Sequence, residues 1–111
     1  MGVWDDYWAS FRARLRQAAE RIHEAVPGCK VYVYYDSQRD TSEGGPEHYR
    51  DSWLTGPDGR QLTTEWGGVY SLTHSVVATL DNTYGRAMLG AVDRYLSELG
   101  CDGLYWDEME C

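Results

Sequence analysis

Asp102-Gly-Leu-Tyr-Trp-Asp-Glu108 carries the strongest fold signal in this chain, a short run of strand formers ending in two carboxylates. Alternation along a strand sends Gly103, Tyr105 and Asp107 to one face and Leu104 and Trp106 to the other. Upstream, Lys30-Val-Tyr-Val-Tyr-Tyr-Asp36 has the same form, a β-branched and aromatic run closed by a carboxylate. There Tyr32, Tyr34 and Asp36 share one side, and Val31, Val33 and Tyr35 the other.

Before the upstream run, apolar residues at Trp4, Trp8, Phe11, Leu15, Ala18, Ile22 and Val26 mark one face of a helix, which Pro27 and Gly28 stop. Before the downstream run, a second helix is expected. Asp81 or Asn82 caps it, Tyr84, Ala87, Met88, Ala91, Val92, Tyr95 and Leu99 form its apolar face, and Gly100 takes the left-handed position after its end. Residues 37–68 are polar and glycine-rich, with turn signals at Gly44-Gly45-Pro46 and Gly56-Pro57-Asp58-Gly59 and room for a small excursion hairpin. Loops this long inside a compact domain often lie over a site. Residues 69–72 and 75–80 are strand-like, as one bent strand or two.

The order helix, strand, long loop, strand, helix, strand predicts an α/β fold with parallel strands and flanking helices. In such a sheet Asp36 and Asp107 would share the C-terminal edge of the strands, where α/β sheets and barrels place their sites.

Composition narrows the field. A length of 111 residues suits one domain, and 42% hydrophobic with 25% charged residues is ordinary for a globular chain. A net charge of -8 without a basic stripe argues against nucleic acid and anionic membranes. No apolar run reaches the ~20 residues of a membrane span, and no segment has signal-peptide form, so a cytoplasmic setting is the default expectation. Cys29, Cys101 and Cys111 fit neither a disulfide framework nor a metal knuckle. Five Trp and nine Tyr against one Phe favour rings with a polar edge, which suit half-wet clefts such as sugar sites.

Gly100-Cys-Asp-Gly-Leu-Tyr-Trp-Asp-Glu resembles the G-x-D-G-x-Y-x-D strand ending of many (β/α)8 glycoside hydrolases and glycosidase-like barrels. Asp81-Asn-Thr-Tyr-Gly-Arg-Ala-Met-Leu resembles the stretch that leads into it. The resemblance implies a partial (β/α)8 TIM barrel, with Asp107 and Glu108 in carboxylate-based hydrolysis of glycosidic bonds; Asp36 is the other candidate catalytic partner, because it ends a neighbouring or near-neighbouring strand. In substrate-assisted hexosaminidase barrels the Glu of such a pair is the acid/base and the Asp orients the acetamido group; in other barrels an Asp at this strand position is the nucleophile. Both roles remain open. The chemistry requires one carboxyl group that stays protonated and a second that stabilises or attacks the sugar centre.

Tyr34 and Tyr105, near the rim, and the loop residues Trp53 and Trp66 are the candidate substrate contacts, by hydrogen bonding and by stacking on sugar rings. For the tyrosines a packed core role with a satisfied hydroxyl is the plain alternative; Trp106 is expected in the core, and Trp53 and Trp66 have no obvious core role. No cofactor is expected. A metal site of His74, Asp36, Asp107 and Glu108 is the weaker reading, because no HxH or HExxH spacing supports it. A solvated acidic loop is the alternative for Asp107-Glu108-Met-Glu110. A full barrel needs ~250 residues, so the chain is expected to be a fragment, inactive alone and prone to self-association through open sheet edges. The competing class is a non-catalytic carbohydrate-binding or structural α/β domain.

Overall fold

The computed structural model describes residues 8–107 apart from Tyr70. Trp4 of the expected helix face, residue Tyr70 in the expected strand, and the chain after Asp107, including Glu108, lie outside the described residues.

Helix α1 (Trp8–Ala25) is followed by Pro27 and by Gly28 at a left-handed φ of 88°. Its inward stripe is narrower than the sequence suggests. Phe11 and Leu15 pack on the core and Ala19 is buried, whereas Ile22 and Val26 are exposed. The inward residues are spaced four apart, so they form a single line along the helix. Ile22 and Val26 share that face but lie at the C-terminal end of the helix and just past it, beyond the residues that pack on the core, and stay wet.

Strand β1 (Tyr32–Asp36) leads into an excursion made of β2 (Arg39–Asp40), the short helix α2 (Gly45–His48), a 3-10 turn (Arg50–Ser52), β3 (Thr63–Thr64) and β4 (Thr73–Ser75). Helix α3 (Thr83–Ser97) and strand β5 (Gly103–Asp107) complete the chain. β1 and β5 form a two-stranded parallel sheet, and a separate antiparallel sheet runs β2-β4-β3. The described residues make a small mixed α/β fold with no closed barrel.

The middle strand differs from expectation. It spans Thr73–Ser75 rather than residues 69–72 or 75–80, and it is not part of the parallel sheet. Both of its edges are taken by antiparallel partners, Arg39 and Asp40 of β2 on one side and Thr63 and Thr64 of β3 on the other. No edge remains for β1 or β5. Beyond β4 the backbone stays engaged through Val76 N donating to Gln38 O (3.0 Å) and Val77 N to Ser52 O (2.8 Å). The excursion hairpin forms around the Gly56 to Gly59 turn, with a Thr55–Gln61 bridge and Leu62 N donating to Leu54 O (2.8 Å).

Helix α3 begins where side chains satisfy its free N–H groups. Asn82 is the cap, its Oδ1 accepting from Gly85 N at 2.9 Å. Two further acceptors come from the excursion: Asp51 Oδ2 takes Thr83 N (3.0 Å) and Ser52 Oγ takes Tyr84 N (3.1 Å). Thr83 Oγ1 also donates to Asp51. The Thr83 hydroxyl above all, then the Ser52 hydroxyl, Thr83 N and the nearby Arg86 charge, hold Asp51 below the usual carboxylate range. Gly100, with φ 69°, takes the left-handed turn after α3.

The core lies between the parallel sheet and α3, and it is built largely of tyrosine. Tyr35, Tyr49, Tyr84 and Tyr95 are all buried, with Val33, Val76, Ala91, Leu99 and Cys101. Their rings meet edge to face, Tyr35 on Tyr95 at 6.0 Å and Tyr49 on Tyr84 at 5.1 Å, the arrangement that aromatic quadrupoles favour. Burial pushes the phenols of Tyr35, Tyr84 and Tyr95 up. Four of the nine tyrosines therefore serve packing, not a cleft.

Candidate functional site: the acidic edge of the parallel sheet

The parallel register pairs Tyr32 with Gly103, Tyr34 with Tyr105, and Asp36 with Asp107. Both aspartates therefore close their strands on the same edge and at the same level. Strand alternation then separates two environments. Val33 and Tyr35 face the core, with Leu104 packed against it and Trp106 meeting Tyr35 edge to face at 5.2 Å. The other face carries Tyr32, Tyr34 and Tyr105, which are 61%, 42% and 61% exposed, and rises to the two aspartates.

Gly103 is small for a reason visible on this face. A Cβ there would fall 2.7 Å from the Tyr32 ring, so the glycine lets that ring lie flat across the sheet. One level up, Tyr34 and Tyr105 stack with centroids 6.0 Å apart and planes at 29°. The Tyr34 hydroxyl then donates to Asp107 Oδ2 at 2.5 Å.

The two aspartates differ. Asp36 is only 7% exposed, and its Oδ1 accepts from Gln38 N at 3.1 Å, a turn that steers the chain out of β1 into the excursion. Asp107 is half-buried and faces the tyrosines. Glu108 lies outside the described residues.

The tryptophans belong to the excursion. Trp53 is half-buried, its indole donates to Pro46 O at 2.9 Å, and Arg50 lies 5.3 Å over its ring. Trp66 is 43% exposed, bonded to Thr73 Oγ1 at 3.2 Å, with Arg39 at 6.0 Å from its ring. Chain connection puts the excursion at the end of β1 that Asp36 closes. Register, stacking and hydrogen bonding bring together Asp36, Asp107, Tyr34 and Tyr105, whereas Trp53 bonds to Pro46 and Trp66 to Thr73 within the excursion.

His74 pairs with Asp40 and Thr63 inside the antiparallel sheet, away from the two aspartates in register. Among the described residues no three of His, Cys, Asp and Glu gather in a way that could hold a metal ion. No described helix is long and apolar enough to cross a membrane.

Two features escape sequence reading. Asp102 anchors the opposite end of the sheet: Lys30 Nζ donates to Oδ1 (2.8 Å), Val31 N donates to Oδ2 (2.9 Å), and His23 Nε2 lies 2.8 Å from Oδ2. Lys30 above all, then Val31 and His23, hold its carboxyl far below the usual range. The only sequence signal is positional, since Lys30 and Val31 precede β1 much as Asp102 precedes β5. Arg39 is the second, its Nη1 donating to Thr64 Oγ1 at 2.7 Å beside Trp66. A groove of about 440 Å³ between α1 and the end of α3, lined by Arg12, Arg16, Glu20 and Glu98 among others, includes no residue of β1 or β5.

A small α/β fold with two aspartates at one strand edge above a tyrosine face is the class of site these residues define. Set against protein-family models, curated proteins and solved structures, the chain finds no match.

Proposed function

We propose that this chain is the carboxylate-bearing part of a glycoside-hydrolase-like (β/α)8 barrel, in which Asp107 and Glu108, with Asp36 beside them, act on glycosidic bonds. The observation that carries the reading is the register of β1 and β5, which sets Asp36 level with Asp107 on one edge of parallel β-structure. Hydrolysis by paired carboxyl groups requires such convergence, with one group charged and one protonated. The exposed Tyr34 and Tyr105 rings lead up to that edge and offer the flat, polar-rimmed surface that sugars stack against. Of the two excursion tryptophans, Trp66 is the more open to a ligand.

Asp36 favours a second reading on its own evidence. Its burial and its bond to Gln38 N are those of a turn former, which suits a non-catalytic carbohydrate-binding or structural domain. Conversion of Asp107 and Glu108 to amides, Asp107→Asn and Glu108→Gln, within the full-length parent separates the two. Hydrolysis of aryl glycosides should fall by a factor on the order of 10²–10⁴, the usual worth of an acid–base group, while sugar retention on an affinity matrix persists. Unchanged turnover rejects the catalytic reading.

A further inference from the structure

We infer that Tyr34 is a positioning residue for Asp107: its hydroxyl holds one oxygen of that carboxylate, and Asp107 is therefore the member of the acidic pair that works in its charged form. The inference rests on the proposed hydrolytic role of Asp107, and its test is separable from that role.

The argument is geometric. Tyr34 is one register level below Asp107 on the neighbouring strand and on the same face, so its ring spans the diagonal and its hydroxyl meets Oδ2 at 2.5 Å. The ring has little freedom to leave, because Tyr105 stacks on it at 6.0 Å and the strand pairing fixes both backbones. A phenol gives one proton to such a bond, and a carboxylate accepts it with no proton of its own. Hydrogen bonding of that kind favours the ionised acid. It also fixes the plane of the carboxyl group, which an aspartate at a strand end would otherwise sample freely. The described ionisable groups of β1 and β5 on this face are Asp36, level with Asp107, Tyr105, level with Tyr34, and Tyr32 below them. A charge on Asp36 would oppose ionisation of Asp107, and the bond from the Tyr34 hydroxyl acts against that repulsion. The protonated role then falls to a group other than Asp107, and the adjacent Glu108 is the nearest in sequence.

The experiment has two arms in this chain and one in the parent. Carboxyl-carbon NMR follows the titration of Asp107 in the wild-type chain and in Tyr34→Phe, which keeps the ring and removes the donor. The midpoint is expected to rise by about half a unit or more; an unchanged midpoint with a native circular dichroism spectrum overturns the inference. Should Tyr34→Phe fail to fold, Asp107→Asn provides the reciprocal reading, because coupling acts on both partners. Loss of the anionic acceptor should lower the titration midpoint of the Tyr34 phenol, read at its ζ carbon, and no change there overturns the inference equally. In the parent, Tyr34→Phe should move the acid limb of kcat/KM to higher pH and lower kcat with KM nearly unchanged. A rise in KM alone would make the Tyr34 hydroxyl a ligand of the substrate instead of Asp107 and overturn the positioning role. A parent without glycosidase activity would remove the hydrolytic reading and leave the two titrations to decide whether Tyr34 holds Asp107.

Discussion

The Asp102 carboxylate draws Lys30, Val31 N and His23 to one point, and so ties the end of α1 and the entry to β1 to the start of β5. Its acid form cannot accept all three bonds, which is why its pKa is depressed, with Lys30 raised in return. An aspartate whose folded value lies below its unfolded value, about 3.9, contributes stability that is complete above that value. The contribution is lost as pH falls through the lowered folded value. The urea midpoint should therefore drop with acid below about pH 4, and Asp102→Asn should lower the midpoint at neutral pH and flatten that part of the acid slope. An acid slope identical in wild type and variant would show that the clamp does not contribute.

At the scale of elements, the start of α3 is where the two parts of the chain lock together. Gly85 lies so close to the Thr79 carbonyl that an added Cβ would fall 1.8 Å from its oxygen, and the clash is with backbone, which cannot swing aside. Gly85→Ala is expected to cost about 1–3 kcal/mol despite the better helix propensity of alanine, read as a lowered denaturant midpoint. A stabilised variant would mean that this close approach is absent in solution. Helices α1 and α3, the strands closed by Asp36 and Asp107, and the hairpin at Gly56 to Gly59 were legible in the sequence because each depends on local periodicity or turn chemistry; α2 and the 3-10 turn fall in a stretch that reads as loop. The Asp36 and Asp107 tips were legible for the same reason. The partners of β4 were not, since residues 73–75 are too short to show a period and their pairing is set by β2 and β3, which are shorter still. Nor was the exposure of Ile22 and Val26, because the helix pattern gives an apolar face without saying how far along its length that face meets a neighbour.

For the whole molecule, the uneven burial of aromatic residues is the main fact. Tyr35, Tyr49, Tyr84 and Tyr95 close the core on one side of the parallel sheet, while Tyr32, Tyr34 and Tyr105 stand open on the other. The radius of gyration, 15.3 Å, exceeds the ~13 Å of a compact domain of this length. Extents of 52 × 33 × 26 Å fit that excess, and they mean less apolar area is hidden than the composition would permit.

The pairing of β1 with β5 joins residues 71 apart in sequence. Closing a chain segment of that size costs about 2 kcal/mol more entropy than closing the hairpin between Thr55 and Gln61. Nucleation should thus begin in α3 and the excursion, with the two strands zipping together after the barrier has been crossed. In stopped-flow refolding, Ala91→Gly should slow folding, whereas Val33→Ala should chiefly speed unfolding. The edge that gathers the aspartates would then be the last part of the molecule to assemble and the first to come apart.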